Sequence, residues 1–158
     1  MLMRRSDREV TDIDQIMEIV DQARILHLGM FAEGYPYVVP LHYGYEYGNG
    51  VLTFYLHSAG EGRKLDLIRA NPNVCVELEA NVELVSGHDI PCRYGAAFSS
   101  VIGTGKAEIV CAAQEKIKGL KLLMVHQTGR EFNMNETMAD GVAVLKITVT
   151  DFTAKKRS

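Results

Sequence analysis

The sequence contains no tryptophan and only three cysteines, Cys75, Cys92 and Cys111, which form no CxxC pair. An odd number of cysteines without that spacing predicts reduced thiols rather than a disulfide framework. No apolar run approaches the ~20 residues of a membrane span, and the opening segment MLMRRSDREV has no apolar core typical of a secretory signal. The net charge of −3 gives no general attraction to nucleic acids or acidic membranes. We therefore expect a cytoplasmic protein that binds neither.

What is present is the composition of an ordinary globular protein, with 47% hydrophobic and 23% charged residues. A chain of this length fits a single domain, which we assign to residues 1–158. Apolar spacing and turn signals predict helices near 13–22, 62–70 and 112–129, and strands near 24–32, 37–47, 51–57, 73–84, 98–110 and 141–156. Hairpins dominate and no regular strand–helix–strand alternation appears. The predicted fold class is therefore mainly β (α+β), an antiparallel β-barrel, open or split, with about six or seven strands and about three flanking helices.

Local signals add three expectations about these elements. Thr11 or Asp12 is expected to cap the first helix. Pro40 cannot donate a ladder hydrogen bond, so its strand should be an edge strand or carry a bulge. The apolar spacing of the last strand predicts a register change near Lys146.

The segment LTFYLHSAGEGRKLDLIRANP is the strongest candidate for a binding site. Ser58 offers a hydroxyl, the turn from Ala59 to Gly62 offers backbone N–H groups, and Arg63 and Lys64 add two adjacent cations at the start of a helix. These groups together favour an anion, a phosphate above all. The alternative is a solvated turn with two surface cations, and the residues alone do not choose between the two interpretations.

Other candidate groups are weaker. His57 ends an apolar strand beside this turn, where a histidine is more often packed than catalytic. His88 and Cys92 have i, i+4 spacing but flank a proline in a loop, so no metal site is predicted from them. The tyrosines of YPYVVPLHYGYEY could stack on a planar ring or simply cover a half-buried strand. No hydrolase motif is present.

Four motifs carry a family resemblance: MRRSDREV, YPYVVPLHYGY, FYLHSAGEGRKLDLIRANPNVCVE and SSVIGTGKAE. In this order they resemble the 5-nitroimidazole-resistance family, which belongs to the pyridoxamine 5′-phosphate oxidase-like FMN-binding split barrels. The resemblance extends over residues 3–155, and HSAGEGRK is its most specific part. The family pattern of a small polar residue, Arg-Lys and a helix ending in Asn-Pro is met by Ser58, Arg63, Lys64, Asn71 and Pro72.

The resemblance implies that the anion is the phosphate of FMN. It implies the cofactor-binding residues Val39, Pro40, Leu41, Tyr55, His57, Ser58, Ala59, Gly62, Arg63, Lys64, Ser99 and Ser100. Residues 39–41 would lie along the flavin ring, and Tyr55 and His57 near the ring or ribityl chain. Ser99 and Ser100 would come from the neighbouring strand region or from a second subunit, because the family's dimers place FMN at the subunit interface. A homodimer is therefore expected.

The implied function is that of an FMN-dependent oxidoreductase of the nitroreductase type. A reduced nicotinamide or another small-molecule donor would supply electrons, and a nitroaromatic compound would be reduced to an amine. His57 is the candidate catalytic residue for proton delivery, because the pKa of histidine suits that role.

Other functions stay open on the same fold. One is a flavin- or haem-binding sensor or storage module without turnover, in which His57, His42 or Tyr55 would be the axial haem ligand. Another is a pyridoxamine-phosphate oxidase proper. The sequence shows no second group of basic residues for the phosphate of a substrate, which counts against this function. A deazaflavin-dependent reductase and an interaction domain are further alternatives.

Overall fold

The structure, a computed structural model, describes residues 2–158 as an eight-stranded antiparallel sheet with four α-helices. In chain order the elements are β1 (Glu9–Val10), α1 (Ile13–Gln22), β2 (Ile25–Met30), β3 (Tyr37–His42), β4 (Gly44–Gly48), β5 (Val51–Ser58), α2 (Arg63–Ala70), β6 (Asn73–Val85), β7 (Gly95–Ile109), α3 (Ala113–Thr128), α4 (Glu136–Asp140) and β8 (Ala143–Arg157). The predicted class, mainly β and antiparallel with flanking helices, is confirmed.

The order of the strands shows why the sheet curls into a barrel. The order is β3-β2-β6-β7-β8-β5-β4, with β1 added beside β8. β3 and β4 stand at opposite ends of this order, although only Tyr43 separates them in the chain. A flat sheet would hold its two ends roughly 29 Å apart, whereas one residue spans about 3.6 Å at most. The ends must therefore meet. Within residues 2–158, β3 pairs only with β2 and β4 only with β5, which leaves the barrel split at Tyr43.

Tyr43 also explains why one predicted strand, 37–47, is two strands in the structure. Its side chain is fully buried, and its hydroxyl lies 2.6 Å from the carbonyl oxygen of Val20 and 2.9 Å from that of Ala23, at the end of α1. Burial raises the pKa of Tyr43 well above its ordinary value. The chain thus leaves the β3 edge to bury this ring and enters β4 on the opposite edge.

Two short elements were not predicted. β1 has two residues and exists because Glu9 and Val10 pair with the distant β8. α4 has five residues, and its N-terminus is capped by Asn135, whose side chain accepts from the N–H of Met138 at 2.9 Å. Neither is long enough to produce a periodic pattern in the sequence.

Two of the local expectations are confirmed. Pro40 lies on β3, which is an edge strand. Asp12 caps α1, because its carboxylate accepts from the N–H groups of Asp14 and Gln15 at 2.9 and 3.2 Å. Capping of this kind typically contributes about 1 kcal/mol to helix stability.

The register change predicted near Lys146 was wrong. The pairing of β7 with β8 instead skips Thr150. The apolar spacing was misleading because both faces of β8 are covered in this region. Leu145 faces the barrel core, and its neighbour Val144 belongs to a second apolar cluster beneath α3.

The core fills the barrel interior and is closed by the first two helices. Leu26, Leu28, Phe54 and Leu56 are fully buried on alternate positions of β2 and β5. α1 and α2 add their apolar faces to the same cluster. α3 packs outside the barrel on β4 and β5. Among the helices of residues 2–158, none combines the length and the apolar character needed to cross a bilayer.

Candidate functional site

The turn between β5 and α2 presents backbone donors to a possible anion. Ser58 ends β5 and Arg63 begins α2, with Gly62 in the N-cap position. Gly62 has φ of 147°, a conformation that favours glycine, and no side chain caps the helix. The first helical hydrogen bond of α2 runs from the N–H of Asp66 to the carbonyl of Gly62. The N–H groups before it have no helical acceptor, and the positive end of the helix dipole adds to their attraction for an anion.

The two cations of this turn have no carboxylate partner among residues 2–158. Arg63 is exposed, and its guanidinium carbon lies 4.5 Å from the centroid of the Tyr37 ring. Lys64 is half-buried, and burial lowers its pKa. By contrast, Arg69 in the last turn of the same helix pairs with Asp66 at 3.5 Å. The positive charge at the start of α2 is therefore available to an anion.

Ser58 and His57 complete this group, which we call the anion cradle: His57, Ser58, Ala59, Gly62, Arg63 and Lys64. The hydroxyl of Ser58 donates to the carbonyl of Ala59 at 2.9 Å, so it must rotate to donate to an anion. His57 is exposed and lies opposite Val144 of β8. The structure thus gathers at one end of β5 the six residues that the sequence predicted there.

Tyr55 is buried, unlike the exposed and half-buried residues of the cradle. It is only 1% exposed and packs beneath α3, where an added Cβ on Gly119 would lie 2.5 Å from a ring carbon. Burial raises the pKa of Tyr55, against the smaller opposite effect of two nearby lysines, Lys118 and Lys146. In this chain its ring therefore packs between α3 and the barrel and offers no exposed face.

Residues 39–41 lie on the edge strand β3, with their side chains on opposite faces. Val39 and Leu41 pack against the barrel core, whereas Pro40 is exposed on the outer face, opposite His27. Because β3 pairs only on its β2 side within the described chain, the main-chain groups on its other side have no ladder partner. An edge of this kind can hydrogen-bond a planar polar ligand.

Ser99 and Ser100 are not brought to the cradle. Ser99 is 2% exposed, and the two serines pair with Lys156 and Lys155 of β8. Ser58 pairs with Ala143 at the other end of β8. The two pairings are separated by most of β8, on the order of 40 Å of extended strand. A ligand that touched both Ser58 and Ser99 would need a second chain.

A cavity of about 1330 Å³ lies on the outer face of the sheet, between the β2–β3 turn and strands β6, β7 and β8. Its lining includes Phe31, Tyr35, Val38, Cys75, Lys106 and Asp151. None of the cradle residues lines it. Sequence reasoning did not single out this surface. The signal that could have found it is the alternation of buried and more exposed residues along β2 and β6, whose more exposed positions face the cavity.

A cross-strand cluster borders the cavity. The Nδ1 atom of His27 lies 2.8 Å from a carboxylate oxygen of Glu77 and 3.7 Å from one of Glu79. Partial burial, then the neighbouring Glu79, raises the pKa of Glu77, and His27 acts in the opposite direction. His27 and Glu77 are register partners on β2 and β6, so an ordinary ion pair between strands accounts for the cluster.

Comparison with known proteins extends over nearly the whole chain. The family model for pyridoxamine 5′-phosphate oxidase matches residues 12–156. A proposed 5-nitroimidazole antibiotic resistance protein from Bacteroides thetaiotaomicron is 34% identical, with a TM-score of 0.79 over 93% of this chain and 85% of that one. No curated protein matches the chain significantly.

Two more distant structures share the fold. The flavocytochrome Anf3 from Azotobacter vinelandii is 19% identical, with a TM-score of 0.79 over 99% of this chain and 72% of that one. The FAD and haem binding protein from Mycobacterium smegmatis is 14% identical, with the same TM-score over 96% of this chain and 74% of that one.

Proposed function

The chain belongs to the pyridoxamine 5′-phosphate oxidase family, and from that premise we propose that it is an FMN-binding oxidoreductase that reduces nitroaromatic or related small molecules. The observation that carries the proposal is the anion cradle. An uncapped helix N-terminus meets two cations, Arg63 and Lys64, that no carboxylate of residues 2–158 neutralises. The resistance protein from Bacteroides thetaiotaomicron and the flavin-binding neighbours support the chemistry proposed for this site.

FMN fits the donor set of the cradle. Its phosphate carries about two negative charges, which Arg63 can bind with two parallel N–H groups and Lys64 with a point charge. The open edge of β3 near Pro40 supplies main-chain groups for the polar side of the ring. When bound, the flavin would supply hydride and electron transfer, while the protein positions the ring and excludes side reactions.

The proposed reaction needs a donor and an acceptor of small size. Reduction of a nitro group to an amine consumes six electrons and six protons and releases two waters, in three two-electron steps. A reduced nicotinamide can donate two electrons in each step. His57 is the proposed proton donor, because it is exposed at the β5 end of the cradle. His57→Ala should then lose far more reductase activity than FMN affinity, since Arg63 and Lys64 still bind the phosphate, and unchanged turnover would remove His57 from the mechanism.

We propose that the active form is a homodimer with FMN at the interface. The separation of Ser58 from Ser99 supports this arrangement, since one chain cannot bring both to one ligand. The hairpin arm, residues 82–97, consists of the end of β6, the connecting loop and the start of β7, and it supports the dimer too: it exposes Val82, Leu84, Val85, Ile90 and Tyr94. A two-stranded ribbon with such a surface is marginal alone. Leu84→Glu should yield a monomer with weakened FMN affinity in analytical ultracentrifugation and titration, whereas an unchanged dimer would exclude the arm from the interface.

A haem- or flavin-binding module without turnover is the second candidate function. Of the three proposed haem ligands the structure leaves the exposed His57 and His42 accessible, because Tyr55 is buried and the 2.8 Å hydrogen bond to Gln127 occupies only the Nδ1 atom of His42. Axial ligation by histidine is common in haem proteins. A Soret band in the purified protein that His57→Ala abolishes would favour this function.

The experiment that tests the proposed function is the visible spectrum of the purified protein, before and after addition of FMN and gel filtration. We expect a two-banded flavin spectrum that bleaches with a reduced nicotinamide. Arg63→Ala should lose bound FMN on the column. The three free cysteines suit the reducing cytoplasm, where we place this reaction. A protein that retains no FMN would overturn the proposal.

A further inference from the structure

Tyr37 and Arg63 form a contact that joins the sheet to the anion cradle. Tyr37 is the first residue of β3, and Arg63 is the first residue of α2. The guanidinium carbon of Arg63 lies 4.5 Å from the centroid of the Tyr37 ring, within the range of a cation–π contact. The sequence offered two roles for Tyr37, stacking on a planar ring or covering a half-buried strand, and neither involves Arg63.

The ring is held more firmly than the arginine. Tyr37 is half-buried against the barrel core and pairs with Met30 of β2. Pro36 precedes it, and proline fixes its own backbone angle. Arg63 is exposed, and its long side chain would sample many rotamers in water. The ring therefore restricts the arginine, rather than the reverse.

This contact leaves the hydrogen-bonding groups of the arginine available. A guanidinium over an aromatic ring uses its flat face, whereas its five N–H groups lie in its plane and point outward. A carboxylate partner would occupy those N–H groups, and within residues 2–158 Arg63 has none. The side chain is thus ordered but still able to bind an anion through two parallel hydrogen bonds.

We propose that Tyr37 is a positioning residue, which orders the Arg63 guanidinium for a phosphate and so makes the site select phosphorylated flavin over riboflavin. The inference rests on the proposed function, because it takes the phosphate to be that of FMN. Ordering a side chain before binding removes an entropic cost from the binding step. The advantage applies only to a ligand that carries the anion.

The test compares the dissociation constants of FMN and riboflavin, measured by flavin fluorescence, for matched variants. Tyr37→Leu should bind FMN about three- to fivefold more weakly, the fold-change expected for one exposed cation–π contact, and riboflavin as the wild type does. Tyr37→Phe keeps the aromatic face and should restore FMN affinity. Tyr47→Leu is the control, because Tyr47 also lies on the sheet surface but packs on Phe152, and it should change neither constant.

Tyr37→Ile also lacks the aromatic face and suits an edge strand, so it replaces Tyr37→Leu in every comparison if that variant is too unstable to measure. An arginine variant then tests whether Tyr37 acts through Arg63. Arg63→Lys keeps the charge but loses the planar face, and it lies on an exposed position. It should weaken FMN binding, and adding Tyr37→Phe or Tyr37→Leu to it should have no further effect. Additive losses in the double variants would show that Tyr37 acts independently of Arg63 and would overturn the inference.

The outcomes separate this inference from the proposed function. If Arg63→Ala leaves FMN affinity unchanged, the phosphate assignment and the proposed function both fail. If Arg63→Ala weakens FMN binding but Tyr37→Leu does not, only the positioning role of Tyr37 fails. Equal losses for FMN and riboflavin in Tyr37→Leu would mean that Tyr37 contacts the ring, which also contradicts the inference.

Discussion

Replacing Lys64 by methionine should separate the stability of the protein from its affinity for FMN. Lys64 is half-buried at the start of α2 and has no carboxylate partner within the described chain, so burial lowers its pKa. Methionine has a similar shape and no charge. The substitution therefore removes a desolvated cation from the folded protein and also removes a ligand of the proposed phosphate.

The two effects have opposite signs. A charge-assisted hydrogen bond contributes about 1.5–3 kcal/mol. Because Lys64 is partly exposed, we expect the low end, about a tenfold weaker FMN affinity. The free energy of unfolding without ligand should rise by roughly 0.5 kcal/mol, since only part of the side chain is desolvated. If Lys64 served only stability, Lys64→Met would instead lower the free energy of unfolding and leave the FMN affinity unchanged.

The stability gain should also depend on pH. Below the lowered pKa, Lys64 is charged in both the folded and the unfolded chain, and the full desolvation penalty acts on the wild type. As the pH rises through the lowered pKa towards the ordinary value of 10.5, the folded chain loses its proton first and the penalty disappears. The wild type should therefore approach the stability of Lys64→Met as the pH approaches 10.5.

Urea unfolding of the FMN-free proteins and fluorescence titration with FMN measure the two effects. Lys121→Met is the matched control, because Lys121 is exposed on α3, away from the cradle, and it should change neither quantity. The reasoning is refuted if Lys64→Met binds FMN as the wild type does, or if it lowers the unfolding free energy by more than about 1 kcal/mol.

Three further substitutions test the packing around the site. Gly119→Ala places a Cβ 2.5 Å from the Tyr55 ring and should lower the unfolding free energy by about 1–3 kcal/mol; wild-type stability in urea would contradict the packing of α3. Tyr43→Phe removes the hydroxyl that donates to the end of α1 and should lower the unfolding free energy by about 1–2 kcal/mol. Wild-type stability in urea would contradict a contribution from this hydrogen bond. Gly62→Ala should strain a backbone at φ of 147° by about 1–3 kcal/mol and weaken FMN binding, and unchanged thermal unfolding would argue against that conformation.

The fold class could be predicted because it depends on local signals. Turn residues such as Asn49-Gly50 and the alternation of β6 act over a few neighbours in the chain. The division of 37–47 into β3 and β4 could not be predicted, since it depends on Tyr43 reaching carbonyl groups of α1 about twenty residues earlier. Likewise, the bulge at Thr150 depends on the partner strand and leaves no mark on the sequence of β8.

The candidate site divides in the same way. The cradle was predictable because its six residues lie within the eight positions from His57 to Lys64, at a strand–helix junction. Tyr37 could not be assigned to it, because their contact depends on how the start of β3 meets α2 in three dimensions. His27 and Glu77 were missed for a related reason: only the register of β2 with β6 makes them neighbours.

The position of β8 in the sheet has a consequence for how the chain folds as it is synthesised. β8 lies between β7 and β5 and also pairs with β1, so three strands made earlier depend on the 15 residues of β8. Until these residues leave the ribosome, β5 and β7 each present an open edge, and the barrel cannot close. The barrel can therefore fold only after β8 has been synthesised. In that interval the nascent chain has unpaired strand edges of the kind that aggregate or recruit chaperones.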